Sequence, residues 1–175
     1  MDEIVKAALK KWPNVPHCFG WLALDARGDW YMRDERIQAA GAFPAVKGSR
    51  IVHEKLREFI HRNYDGDEAG SWFFQNGPQR VYVELEAAPW VLRVQDGALR
   101  THTGLDATLR ATCLDEHGRL FVETDRGLGL VHTQDMHDAA QALEAGRWPA
   151  PAELAFADMP ARFGYRLRPQ PAAPR

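Results

Sequence analysis

The residue pattern predicts an α+β fold: antiparallel hairpins, about eight strands, covered by three helices, with a weak internal duplication of a β-β-α unit. Three observations carry this. A turn string, Asp-x-x-Gly, occurs three times, each time followed by an apolar run. Residues 80–86 alternate apolar and polar as a half-buried strand does. Separate stretches near 2–12, 51–64 and 135–145 place their apolar residues at helical spacing.

Residues 2–12 read as the first helix, with Ile4, Val5, Ala8, Leu9 and Trp12 on one stripe. Asp2 and Glu3 open it and Lys10 and Lys11 close it, as the helix dipole prefers. Pro13 and Pro16 stop it. Asp25-Ala26-Arg27-Gly28 precedes Trp30-Tyr31-Met32, Asp67-Glu68-Ala69-Gly70 precedes Trp72-Phe73-Phe74, and Asp115-Glu116-His117-Gly118 precedes Leu120-Phe121-Val122. Asp first and Gly fourth suit a type I turn closed in the left-handed region. The first and third strings follow a strand and read as hairpins. The second follows the helix 51–64 and reads as a helix-to-strand connection.

After the first hairpin comes an Ala- and Gly-rich segment, 36–47, and then the helix 51–64 with Ser49 as its N-cap. Strands follow at 80–86, 90–95, 98–103 and 108–114, with Asp96-Gly97 as a hairpin turn. The third turn string leads into strands at 119–124 and 128–132 and a helix at 135–145. Hairpin, strand and helix thus occur twice. The expected organisation is an N-terminal helix (1–16), a first β-β-α unit (17–78), a second strand-rich unit ending in a helix (79–146), and a tail (147–175) rich in Pro and Arg.

The order of these pieces resembles an uncharacterised bacterial family, domain of unknown function 1285, or a sister family. The residues that carry the likeness are Gly28-x-Trp30, then Ile51, Leu56 and Phe59 in a helix. After these come Val81-x-Val83-Glu84-x-Glu86-x-x-Pro89-Trp90-Val91 and Phe121-Val122-x-Thr124-x-x-Gly127-Leu128. The likeness spans roughly 20–145 and departs at 36–47 and in the tail. It implies a fold of repeated strand-and-helix motifs and a role in ligand sensing or signalling. It supplies no catalytic residues.

Of the 175 residues, 45% are hydrophobic and 26% charged, and the net charge is −2, which argues against disorder and against a phosphate-backbone binder. Nucleic acid is therefore disfavoured as a partner. No apolar run reaches bilayer length, and the start lacks a basic-then-apolar leader, so a cytoplasmic protein is expected. The two cysteines, Cys18 and Cys113, read as reduced thiols, with Cys113 in the core beside Leu109 and Ala111. The six tryptophans read as core residues.

The strongest binding candidate is the start of the 51–64 helix. Lys47, Ser49, Arg50, His53 and Arg57 would hold a phosphate or carboxylate there, using the basic side chains and free amides. A solvated helix face is the plain alternative. Glu84 and Glu86 share a strand face and could act as a carboxylate acid/base pair, or simply pair with Arg80 and Arg93. No zinc spacing, nucleophile elbow or phosphate-binding glycine loop is present, so neither a metal nor a cofactor is expected. The expected function is a non-enzymatic ligand-binding or regulatory module that recognises a small anionic ligand or a protein partner. The alternative is a carboxylate-dependent hydrolase.

Overall fold

The structure, a computed structural model, describes residues 1–174. It falls into two compact units. The first comprises residues 1–25, 29–86 and 166 onward; the second comprises 26–28 and 87–165.

The first unit runs α1 (Glu3–Lys11), β1 (Cys18–Leu24), β2 (Trp30–Met32), α2 (Glu35–Ala40), β3 (Ser49–Arg50), α3 (Glu54–Arg62), β4 (Tyr64–Gly66), β5 (Trp72–Asn76) and β6 (Gln79–Leu85). Its sheet has the order β3-β2-β1-β6-β5-β4, and β1 lies parallel to β6. Both faces of the central strands are covered. Val83 is fully buried, and its neighbours Tyr82, Glu84 and Leu85 are buried. Trp30 packs edge-on against Tyr64, and Phe59 of α3 packs edge-on against Phe74.

The second unit runs β7 (Trp90–Gln95), β8 (Ala98–Thr101), β9 (Asp106–Ala107), β10 (Leu109–Leu114), β11 (Leu120–Thr124), β12 (Gly127–Val131), α4 (Met136–Glu144), β13 (Ala152–Glu153) and α5 (Met159–Phe163). Its sheet has the order β13-β10-β11-β12-β7-β8-β9, with β10/β13 and β12/β7 parallel. Residues 147–165 are stitched to it. Trp148 Nε1 donates to the Gly97 carbonyl at 3.1 Å, Leu154 N to Leu114 O at 3.0 Å, and the Tyr165 hydroxyl to Ala87 O at 2.8 Å.

The architecture overturns the expected one. Among the described residues, thirteen strands in two mixed sheets and five α-helices replace about eight antiparallel strands and three helices. The missed elements are short: β3, β9 and β13 have two residues each, and α5 has five. Elements of that length carry no period to read. Parallel pairing leaves no local turn signature either, because its partners are distant in sequence. The duplicated β-β-α unit also fails. The first hairpin leads to α2, β3 and α3, while β10–β11 continues into a third antiparallel strand before α4.

The three turn strings do fold alike. Asp25, Asp67 and Asp115 each accept a backbone N–H four residues on with a side-chain oxygen, at 2.8–2.9 Å. Gly28, Gly70 and Gly118 take φ of +85°, +81° and +73°. The second string joins β4 to β5, so it closes a hairpin rather than a helix-to-strand connection. Helix α3 begins at Glu54, not 51, and His53 caps it in place of Ser49: its Nδ1 accepts from Leu56 N at 3.3 Å. Ile51 is extended, and its N–H bonds Trp30 O.

Not every tryptophan is core. Trp30, Trp90 and Trp148 are buried, whereas Trp12 and Trp21 are exposed. Phe121, fully buried and stacked on Phe156, should lose about 3–5 kcal/mol on Phe121→Ala. Trp12→Ala should stay within about 0.5 kcal/mol. Urea unfolding of the two variants beside the parent checks both values.

Candidate functional site

Of the five residues proposed for the anion site, Lys47 and Arg50 are already paired with carboxylates. Lys47 Nζ sits 3.0 Å from Asp25 and 3.8 Å from Glu86. Tyr31 adds its hydroxyl to the same Asp25 oxygen at 3.2 Å and its ring beneath Lys47. Burial works against the Lys47 charge, yet the two carboxylates hold its pKa above the ordinary lysine value. Arg50 pairs with Asp29 at 3.0 Å. Ser49 is exposed on the edge strand β3 opposite Met32, and the His53 ring is spent on its cap. Arg57 lies along α3, where the buried Nε has no acceptor among the described residues. Burial first, and the Arg57 charge second, push His61 down to about 4. His61 Nε2 accepts a 2.9 Å bond from Trp30 Nε1, which requires that nitrogen to be unprotonated.

Glu84 and Glu86 do not share an open cleft. Glu84 is buried between Arg33, at 3.2 Å, and Arg168, at 3.7 Å. Glu86 turns to Lys47. The expected partners are elsewhere: Arg80 stacks on the Phe73 ring and Arg93 pairs with Asp135. The cover over Glu84 is the 36–47 segment. Arg33 Nη2 donates to the carbonyls of Gly41, at 2.7 Å, and Val46, at 3.2 Å. Arg168 donates to the carbonyl of Phe43 at 3.1 Å. A strand face that reads as solvated is thus roofed by a loop held on arginine donors.

The second unit holds a cavity of about 230 Å³. Ala111, Cys113 and Glu123 line it from β10 and β11, the exposed Glu153 from β13 with Leu154 just after it, and α5 supplies Arg162 and Phe163. Ala111 faces Glu123 across the strand pair, and Cys113 faces Phe121. Burial, with Asp115 and Glu123 nearby, pushes the Cys113 thiol up, so it stays protonated. Glu123 is half-buried, and neither it nor Arg162 has an ion pair or side-chain hydrogen bond among the described residues.

Two more open hollows in this unit have no unpaired arginine among the described residues. One, about 480 Å³, lies over Arg93 and Arg100, which face each other on β7 and β8. Asp135 neutralises Arg93 at 2.6 Å and Asp106 neutralises Arg100 at 3.3 Å. The other, about 470 Å³, has Asp115 bound to Arg119 at 2.7 Å and Glu116 bound to Phe156 N at 2.8 Å. Among the described residues no group of three or more His, Cys, Asp or Glu could hold a metal ion, and no helix is long and apolar enough to cross a membrane.

Sequence reasoning passed over Glu123 and Arg162. The available signal was an acid inside the apolar strand Leu120-Phe121-Val122-Glu123-Thr124. Arg162 carried no signal, since it sits in a segment without period.

Residues 1–170 match the model of the DUF2944 family, described as "Protein of unknown function (DUF2946)". The chain belongs to this family. No curated protein matches it. Among solved structures, the family member here is similar to a DUF1285 family protein from Silicibacter pomeroyi DSS-3. The two are 14% identical with a TM-score of 0.51, over 81% of this chain and 84% of that one. It is also similar to a DUF1285 family protein from Shewanella baltica OS155, at 14% identity and a TM-score of 0.45, over 69% of this chain and 91% of that one. The resemblance read from the residues, to that family or a sister of it, is met in fold by the first of these structures. The likeness to the first structure is one of fold.

Two outcomes follow for the first unit. Arg33→Met leaves Glu84 buried with a weaker partner and should cost about 3–5 kcal/mol by urea unfolding. Adding Glu84→Gln should return part of that loss. His61 binds a proton more weakly folded than unfolded, so its contribution is complete above about pH 6.5 and is lost as pH falls toward 4. The melting temperature should drop across that window, and His61→Gln should flatten the drop.

Proposed function

We propose that the protein is a non-enzymatic, ligand-binding module that takes a small molecule bearing an anionic group into the cavity of its second unit. One observation carries this reading: a mostly apolar cavity lined by a guanidinium, that of Arg162, with no carboxylate paired to it. Small-molecule sites combine an apolar lining with a few polar groups that fix orientation. A guanidinium is suited to planar, bidentate recognition of carboxylate or phosphate. At roughly 30 Å³ per water, the cavity has room for about seven or eight waters, the size of a short-chain acid. The Lys47 and Arg50 group is a poorer candidate for the same chemistry, because an incoming anion would compete with Asp25, Glu86 and Asp29. The protonated Cys113 thiol favours binding over nucleophilic chemistry at the cavity wall.

The reading is tested by titrating butyrate, hexanoate and inorganic phosphate into ¹⁵N-labelled protein. Amide shifts should concentrate on Ala111, Cys113, Leu154 and Phe163 for at least one of these. Arg162→Met should weaken that binding about tenfold or more, about 1.4 kcal/mol. Shifts scattered outside the cavity, or affinity indifferent to Arg162→Met, would contradict it.

A further inference from the structure

Glu123 makes the cavity more specific than an anion pocket. The other acids of the second unit that are withdrawn from solvent are compensated, Asp115 by Arg119 and Asp135 by Arg93, and the unpaired Glu153, which also lines the cavity, is exposed. Glu123 stands between Ala111 of β10 and Leu128 of β12, on the same strand face as the fully buried Phe121. Withdrawing a carboxylate part-way from water costs free energy unless a partner repays it. Among the described residues no partner does so, and the cation sharing the cavity, Arg162, does not form an ion pair with it.

The two charges also constrain what can enter. A simple anion satisfies Arg162 and is repelled by Glu123. A simple amine satisfies Glu123 and is repelled by Arg162. A molecule with both charges satisfies both, and its aliphatic part fits against Ala111, Cys113, Leu154 and Phe163. With Arg162 exposed and Glu123 half-buried, the difference between a matched and a mismatched charge amounts to about a kcal/mol.

We infer that the cavity ligand is a zwitterion of amino-acid size, its ammonium held by Glu123 and its carboxylate or other anionic end by Arg162. This inference rests on the cavity being the binding site. Test compounds separate the two claims. Leucine and 4-aminobutyrate are compared by calorimetry with butyrate and butylamine, at low salt, on the parent, Glu123→Gln and Arg162→Met proteins. At least one of the two zwitterions should bind the parent about tenfold or more tightly than either singly charged compound. Glu123→Gln should abolish that preference and raise the affinity for butyrate, because the repelling charge is gone. Arg162→Met should weaken the zwitterion and butyrate alike.

Butyrate binding the parent as tightly as both zwitterions, with Arg162→Met still deleterious, overturns the inference and leaves the binding reading intact. No binding of any of the four compounds overturns both. The parent panel decides the matter even if a variant folds poorly, and Glu123→Gln is nearly isosteric.

Discussion

A charge taken out of water must meet its opposite, and this constraint shapes both units. In the first, Arg33 is almost wholly buried and holds Glu84 through Nη1, while its Nη2 ties down the Gly41 and Val46 carbonyls. Asp25 is both the turn cap that starts β2 and the anchor for Lys47 and Tyr31. Charged side chains here order loops that have little apolar area of their own. Breaking such a pair leaves a stranded ion, which costs more than the pair itself contributed.

The second unit obeys the same rule except in one place. Arg93 and Arg100 of the β7–β8 hairpin are neutralised and the turn aspartate Asp115 is clasped by Arg119. The cavity beside α5 keeps the half-buried Glu123 and the exposed Glu153 unpaired with the guanidinium of Arg162. Structural ion pairs close on themselves, whereas a binding site leaves its charges to be completed by what it binds. The functional reading rests on that contrast, more than on the cavity's size.

Much of the local structure was legible in the residues. The Asp-x-x-Gly strings became three turns with a shared hydrogen-bond pattern, and α1 and α4 stand close to where their apolar spacing put them. What was hidden is what depends on distant partners. The alternation of 80–86 gave the strand but not its surroundings, so Glu84 read as solvated while a loop 40 residues earlier in the chain covers it. Ser49 has the chemistry of a cap, but the backbone through Ile51 is drawn into the sheet, which delays α3 and hands the cap to His53. The anion site was sought where basic residues crowd together in sequence. Lys47 and Arg50 crowd there because each has a carboxylate to meet. Arg162 and Glu123 are 39 positions apart, and only the return of the chain after β13 brings them to one cavity.

The most direct test of this account is a crystal structure at high resolution after soaking with leucine. The account predicts density inside the cavity, within hydrogen-bond reach of both the Glu123 carboxylate and the Arg162 guanidinium. An empty cavity with those two side chains closed into a direct ion pair would contradict it.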